Sequence, residues 1–421
     1  MTSERYKRQR AKASGIFDHV MKGVAQGIPA DQSLATLFKK HKEYGSRDRR
    51  LYAHAIFAGL RWLGWTNDIN PPDTESRLAW SAIIDAESTI DDIALWRDAI
   101  RPTGIDVDRF TGLSLEEKIK NLVAYFPGHG FRAENLLPDW TESVIESSSA
   151  MQSLVKSCLT RPPAWIRVAP SDQTAMSRCL TDMGIRHYIH PVLSGAMAIT
   201  SAFSVGNVEK RWGKAIHVQD ISSQAVVNVC SVRKGEAWWD TCCGAGGKSI
   251  GLAQATGSDG YVLCTDVRET VLNNLIRRVQ GHKITCVETH CLDARTATSG
   301  RRFDGILLDA PCSGIGTWPR NPDARLRMDA DAIMEKSKMQ SAMLNNAARF
   351  LKQGGTMVYS VCTLTETEGA HIIDHFLRSH PDFIAEEFIN PLTGELVDGK
   401  LLILPGDGPG DGMFIARLKK T

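Results

Sequence analysis

The sequence predicts an α/β protein, with a mostly parallel sheet covered on both faces and preceded by an all-helical segment. Three observations lead there. The first 150 residues carry apolar positions at helical spacing, and from about residue 236 short apolar runs alternate with helical patterns. Acids and cysteines then stand just past the ends of those runs, where open parallel sheets bind their ligands. A length of 421 residues accommodates two or three domains, each able to build its own core. A hydrophobic content of 43% with 23% charged residues excludes a mainly disordered or collagen-like chain. No run of 18 apolar residues exists and the basic N-terminus has no apolar stretch behind it, so neither a membrane span nor a secretory signal is expected. Ten cysteines without a C-x-x-C pair are too sparse for a disulfide scaffold, so free thiols and a cytoplasmic location are expected.

The helical segment opens with Ile16, Val20, Met21 and Val24, continues with Leu34, Leu37 and Phe38, and runs on from Ser46, a candidate N-cap, to Leu63. Pro127, Gly128 and Gly130 break the helical run, and a short helix restarts at Leu137-Pro138. Charge is uneven. Residues 1–61 hold 13 Lys and Arg against 5 Asp and Glu, net +8, whereas residues 62–150 are net −9. A basic block in a nearly neutral chain suits a phosphate-backbone surface, and equally a solvated helix face. Pro162, Pro163 and Pro170 mark a boundary. The domains expected are 1–150, all-helical; 151–217, a small α+β segment; and 218–421, the sheet domain.

In the last domain, strands are predicted at Glu236–Asp240, Tyr261–Thr265, Ile284–Glu288, Phe303–Leu308, Thr356–Ser360 and Met413–Leu418. The helices between them are Gly247–Ala255, Arg268–Gln280, Asp331–Leu351 and Glu366–Ser379. Asp240, Asp266, Asp309 with Cys312, and Cys362 therefore fall on one edge of the sheet, where carboxylates and thiols make poor core material.

The first strand–helix loop reads Asp240-Thr-Cys242-Cys243-Gly244-Ala245-Gly246-Gly247-Lys248. Its glycines let backbone approach a ligand, and the helix start offers free N–H donors. A P-loop fails because Cys242 stands where its first glycine is needed, and the dinucleotide pattern misses its last glycine. A loop wrapping the amino-acid end of S-adenosylmethionine tolerates the pattern, with Asp266 accepting from ribose hydroxyls; a plain βα turn stays open. Thr363 and Glu366 fit a capping box, which would put Cys362 at a helix N-terminus and favour its thiolate. Cys158, Cys179, Cys230, Cys264, Cys286 and Cys291 read as small inert hydrophobes. His371 and His375 share a helix face without a third ligand at a recognisable spacing, so no metal is expected; His187 and His190 read as surface residues.

These stretches resemble the Sun (RsmB-like) family of RNA cytosine-5 methyltransferases. The resemblance is carried by Asp309-Ala-Pro-Cys-Ser-Gly-Ile-Gly316, Tyr359-Ser-Val-Cys362, Gln219-Asp-Ile-Ser-Ser-Gln224 and Asp411-Gly-Met-Phe-Ile-Ala-Arg-Leu418. The N-terminal block is similar to the NusB-like helical RNA-binding domain of these enzymes, and Pro162-Pro-Ala-Trp-Ile-Arg-Val168 to the entry of their intermediate domain. The resemblance implies a Rossmann-like class I methyltransferase domain with a mostly parallel seven-stranded sheet and S-adenosylmethionine as cofactor. By position, the cofactor loop is Cys242, Cys243, Gly244, Ala245, Gly246, Gly247 and Lys248. Asp266 is the ribose acid, Asp293 the adenine-side acid and Asp309 the acid beside the target base. Cys362 is the nucleophile and Cys312 the second, product-releasing thiol; Lys248 joins them and Asp309 as a catalytic residue, and Asp309 also borders the cofactor. Departures are Cys243-Gly244-Ala245 for Ala-Ala-Pro, Pro319-Arg320 for Arg-Arg, and Val361 and Thr363 flanking the nucleophile.

Two thiols suit the chemistry. Carbon-5 of cytosine is too weak a nucleophile until a thiolate adds at carbon-6, and the product must then be released. The base has to be splayed from its stack, which suits single-stranded RNA. The reading is an enzyme acting on RNA, 16S ribosomal RNA first and transfer RNA second, as a monomer; a binding-only assembly factor with a decayed site is the alternative.

Overall fold

The computed structural model describes residues 2–85, 88, 90–100, 106–110, 113–405 and 410–421. The chain forms two compact units: Met1–Ser143 with Ser147–Arg161 and Thr317–Asp329, and Val144–Glu146 with Pro162–Gly316 and Ala330–Thr421.

The first unit is helical: α1 (Thr2–Ala25), α2 (Ala30–Lys40), α3 (Ser46–Arg61), α4 (Leu63–Ile69), α5 (Thr74–Ile84), α6 (Ile90–Ile100), α7 (Leu115–Tyr125) and α8 (Ser148–Cys158). Ile16, Val20, Val24 and Leu34 are buried, as their spacing predicts, around Trp62, Trp65, Trp80 and Trp96. Ser46 opens α3 from within, and Gly45 caps it without a side-chain bond. The helix ends explain the distant segment Thr317–Asp329. Pro29 gives α2 no side-chain cap, and Asp323 accepts from Ala30 N–H at 3.1 Å. Arg325 donates to the carbonyls of Leu60 (2.7 Å) and Arg61 (2.6 Å), where α3 ends. An acid at a helix start and a guanidinium at a helix end both oppose the macrodipole.

The second unit begins with a small antiparallel sheet. It comprises β1 (Ala164–Arg167), β2 (His187–Ile189), β3 (Ala196–Ile199) and β4 (His217–Val218), in the order β2-β3-β1-β4, with α9 (Gln173–Asp182) and α10 (Val205–Trp212). His190 here is buried, not a surface residue, because its Nδ1 accepts from Leu193 N–H at 2.9 Å. After α11 (Ile221–Cys230) come β5 (Ala237–Asp240), α12 (Gly247–Thr256), β6 (Tyr261–Asp266), α13 (Glu269–Gly281), β7 (Val287–Cys291) and β8 (Phe303–Asp309). Then follow α14 (Ala330–Ala348), β9 (Leu351–Val361), α15 (Ala370–Ser379), β10 (Phe383–Ala385), the pair β11 (Phe388–Ile389) and β12 (Leu396–Val397), β13 (Lys400–Ile403) and β14 (Met413–Lys420).

The main sheet runs β10-β14-β9-β8-β5-β6-β7, with β13 also on β14. Strands β7, β6, β5, β8 and β9 are parallel, and β14 is antiparallel to β9. The expected seven strands are thus joined by an eighth, because β14 is long enough to pair β13 with its first half and β10 with its second. Two elements shift. The strand predicted at Ile284 starts at Val287, because Ile284 N–H closes α13 on Val279 O and Lys283 adopts φ 55°. The helix predicted from Glu366 starts at Ala370, because residues 366–369 form turns.

Candidate active site

Every strand end named from the sequence meets at the carboxyl edge of the sheet: Asp240 closes β5, Asp266 closes β6, Asp309 closes β8 and Cys362 follows β9. The Sγ atoms of Cys312 and Cys362 lie 3.3 Å apart, within reach of one shared proton. A hydrogen bond to Cys362, together with burial, pushes the Cys312 thiol well above its ordinary range, so Cys312 keeps the proton. The helix-terminal argument for Cys362 fails. Thr363 bonds Ser313 (2.8 Å) and faces Thr365, Glu366 faces His371 at 3.5 Å, and no helix starts there.

Beside the thiols, Lys248 Nζ donates to Asp309 Oδ2 at 2.7 Å and Ser360 Oγ to Oδ1 at 2.7 Å. Burial disfavours the Lys248 charge, but Asp309 outweighs it, and Cys362 adds to the same field, so the ammonium stays above its usual value. Lys248 also reaches Ser223 Oγ at 3.3 Å, on α11, whose N-cap Asp220 accepts from Ser222 and from Asp411 N–H (3.1 Å). The motifs around Gln219–Gln224 and Asp411 therefore close around one place.

Ser360 and Gln219, quoted only within motifs, had no role assigned from the sequence, and Glu368 was missed outright. Glu368 is fully buried, and its carboxyl accepts from Ser313 N–H (2.8 Å), Ser313 Oγ, Gln340 Nε2 (3.1 Å) and Thr365 Oγ1 (3.1 Å). Ser313 follows Cys312 and bonds Thr363, which follows Cys362, so this carboxyl clasps both cysteine loops. Read as the start of a helix, the stretch gave Glu368 no reason to point inward.

In the loop after β5, Gly244 (φ 50°) and Gly246 (φ 81°) turn the backbone in a way L side chains resist. Asp266 Oδ2 accepts from Gly244 N–H at 3.0 Å. Burial works against the Asp266 charge, but bonds from the Arg268 side chain (2.9 and 3.0 Å) and from the backbone hold the carboxyl below its usual range. Asp293 is likewise lowered by Arg295. Burial keeps the Cys242 and Cys243 thiols protonated. Both amide atoms of Gln219 are buried without a hydrogen-bond partner among the described residues, with Nε2 3.5 Å from where a Gly247 Cβ would sit. A free helix start, an orphan amide and a strand-end carboxylate fit S-adenosylmethionine: polar partners for its amino-acid end and an acceptor for its ribose diol. Among the described residues, His371 of the two α15 histidines lies within ligand distance of other ligand types, Glu146 and Glu366.

Compared with known proteins, residues 227–419 match the family model described as 16S rRNA methyltransferase RsmB/F. A ribosomal RNA small subunit methyltransferase B from Citrobacter koseri is 32% identical over 298 residues, covering 68% of this chain and 67% of that one. A probable enzyme of the same name from Bacillus subtilis is 32% identical over 237 residues, 54% of this chain and about half (51%) of its own length. Among solved structures, PH0851 covers 97% of this chain and 99% of its own with a TM-score of 0.73 at 23% identity. NSun6 from Pyrococcus horikoshii with SFG covers 66% and 95% with a TM-score of 0.57 at 17% identity; both likenesses speak to the fold. With matches on this scale, the chain belongs to the RsmB/F family of S-adenosylmethionine-dependent RNA methyltransferases.

Proposed function

We propose that this chain methylates carbon-5 of a cytosine in small-subunit ribosomal RNA, with Cys362 as nucleophile and Cys312 as the releasing thiol. The observation that carries the reading is the pair of thiols at 3.3 Å beside the Lys248–Asp309–Ser360 group. S-adenosylmethionine, held by residues 242–248, Gln219, Asp266 and Asp293, supplies an electrophilic methyl group. Cys362 as thiolate adds to carbon-6 of the ring, and the electron pair of the 5,6 double bond makes carbon-5 nucleophilic. Asp309, a carboxylate held by Lys248 and Ser360, accepts from the exocyclic amino group of the base and, as the addition proceeds, from the ring nitrogen once that has taken a proton from solvent, which supports the addition. After carbon-5 takes the methyl group it must lose its proton. Solvent water takes that proton, the electron pair of the broken carbon–hydrogen bond re-forms the double bond, and Cys362 leaves carbon-6 as a thiolate that the S–H of Cys312, 3.3 Å away, stabilises. The helical unit, with its exposed cations on α1 and α2, docks the RNA; the enzyme works in the cytoplasm as a monomer without a metal.

The test is adduct trapping. Cys362→Ala binds RNA and cofactor but forms neither product nor covalent complex. Cys312→Ala attacks and methylates, then stalls as an RNA–protein band that survives denaturing electrophoresis and disappears in the double variant. An adduct in Cys362→Ala and none in Cys312→Ala reverses the two roles; unimpaired methylation in both ends the covalent mechanism.

A further inference from the structure

A second cluster lies in the same unit near the C-terminal ends of α12 and α13, at the far end of α12 from the cofactor loop. There, Arg167, Lys214, His217, His282 and Lys283 border a cavity of about 430 Å³. Arg167, the last residue of β1, lays its guanidinium across α12 at Gly251, where an added Cβ would fall 2.3 Å from Nη1. Its Nε and Nη2 are buried with no hydrogen-bond partner among the described residues. His217 is 6% exposed, its Nδ1 is equally without a partner, and its ring stacks on His282 with centroids 4.1 Å apart.

The nearby acids leave this charge uncompensated. Asp172 is taken by Lys214 at 3.0 Å, and Glu209, whose field reaches His282, accepts from Ile216 N–H at 3.0 Å. Burial first, and neighbouring cations with Arg278 among them second, pull Arg167 down to about 10 and His217 to about 3. A buried guanidinium with two unpaired nitrogens and a buried imidazole nitrogen without a partner are expensive to keep, and a fold that keeps them around an open cavity leaves room for a ligand that pairs with them.

We propose that this cavity is a phosphate-group site, distinct from the methyl-transfer centre, in which Arg167 and His217 donate to the oxyanion and Lys214 and Lys283 flank it. The guanidinium fork matches a phosphate, and two exposed ammonium groups raise its local concentration. The phosphate comes either from the backbone of the RNA substrate, a source that rests on the activity proposed above, or from free inorganic phosphate.

The full-length protein is titrated with inorganic phosphate, with chloride as control, while the imidazole resonances of His217 and His282 are followed by NMR. RNA affinity is measured against salt for the wild type and for Lys214→Ala/Lys283→Ala, whose exposed side chains put folding at no risk, and Arg167→Met is added where it folds. Expected are saturable imidazole shifts with phosphate, weakened in the double variant, and a salt slope lower by about 1.4–1.8 for the two lost cations, at unchanged cofactor affinity. Phosphate shifts with an unchanged slope keep the site and assign it to free phosphate. Imidazole resonances that neither phosphate nor RNA moves overturn the site. RNA methylation by the wild type is assayed alongside; its absence with phosphate shifts intact sinks the proposed activity and not this site.

Discussion

Glu368 is the side chain whose removal should separate architecture from chemistry. Four donors converge on its buried carboxyl, and no Lys or Arg among the described residues forms an ion pair with it. Glu368→Ala strands the Ser313 N–H and one Gln340 N–H; the Ser313 and Thr365 hydroxyls can rotate to each other or to Thr363. Two buried orphan donors at about 1–3 kcal/mol each, with a small cavity, bring the loss to about 3–5 kcal/mol. Glu368→Gln keeps the volume and one acceptor, and its new N–H₂ can face the two hydroxyls, so the loss falls to about 1–2 kcal/mol. Urea unfolding measures both. The chemical readout is single-turnover adduct formation on the folded variants, because Ser313 and Thr363 adjoin the two cysteines. A displacement of about 1 Å of either thiol slows that step about 100-fold while cofactor affinity stays level. Glu368→Ala with unfolding free energy within about 0.5 kcal/mol of wild type, or with an unchanged adduct rate, would refute the clasp.

Asp266→Ala should weaken S-adenosylmethionine binding about 10- to 150-fold, the worth of a charge-assisted pair of contacts at about 1.5–3 kcal/mol, whereas Arg268→Ala should leave it level or tighter, since an exposed guanidinium then no longer occupies the carboxylate; calorimetry on both checks this, and equal losses would reject it. Burial raises Asp240 to about 7, so the folded chain holds that proton more tightly than the unfolded one. The associated stability, about 4 kcal/mol, is complete below about pH 4 and is lost as pH rises through 7, so Asp240→Asn should flatten the decline of unfolding free energy between pH 5 and 8, and parallel profiles would count against the shift. Replacing the exposed Lys39, Lys40 and Lys42 at and beyond the end of α2 by Ala should lower the slope of log affinity against log salt by about 2–3; an unchanged slope makes them a solvated helix end only.

What the sequence revealed and what it withheld follow from how far apart the causes lie along the chain. Alternation of strand and helix is a local pattern, and a strand-end acid is legible because a carboxylate has no business inside a parallel sheet without a partner. Asp266, Asp309 and Cys362 were therefore locatable by type and position alone. The strand at Val287 and the helix at Ala370 moved because turns claimed residues whose side chains suited either state. Ser46 failed as a cap for a similar reason, since Gly45 reaches the cap position without a side chain. Glu368 and the segment Thr317–Asp329 were beyond local reading. The first depends on Ser313 and Gln340, the second on helix ends near Ala30 and Arg61, each distant in sequence.

The failed capping box sharpens the question of what would make Cys362 the attacking thiol, as proposed. Without a helix terminus, two local influences remain: the neighbouring thiol and the Lys248 charge. Cys312 holds its proton firmly, so in the 3.3 Å pair it can donate an S–H to a Cys362 thiolate but is poorly placed to attack. Lys248 is shared between Asp309 and the field at Cys362, so any change that frees it from the carboxylate strengthens its hold on the thiolate, and any change that tightens the Asp309 pair weakens it. A target base whose ring nitrogen engages Asp309 would draw on that carboxylate and leave more of the ammonium field at Cys362. Activation of the nucleophile would then be tied to occupancy by the base. On that account the ultraviolet absorbance of the Cys362 thiolate, read as the difference from Cys362→Ala, rises when cytidine is added. The rise vanishes in Lys248→Met, where no ammonium remains to redistribute, and an equal rise in that variant would place the activating charge elsewhere.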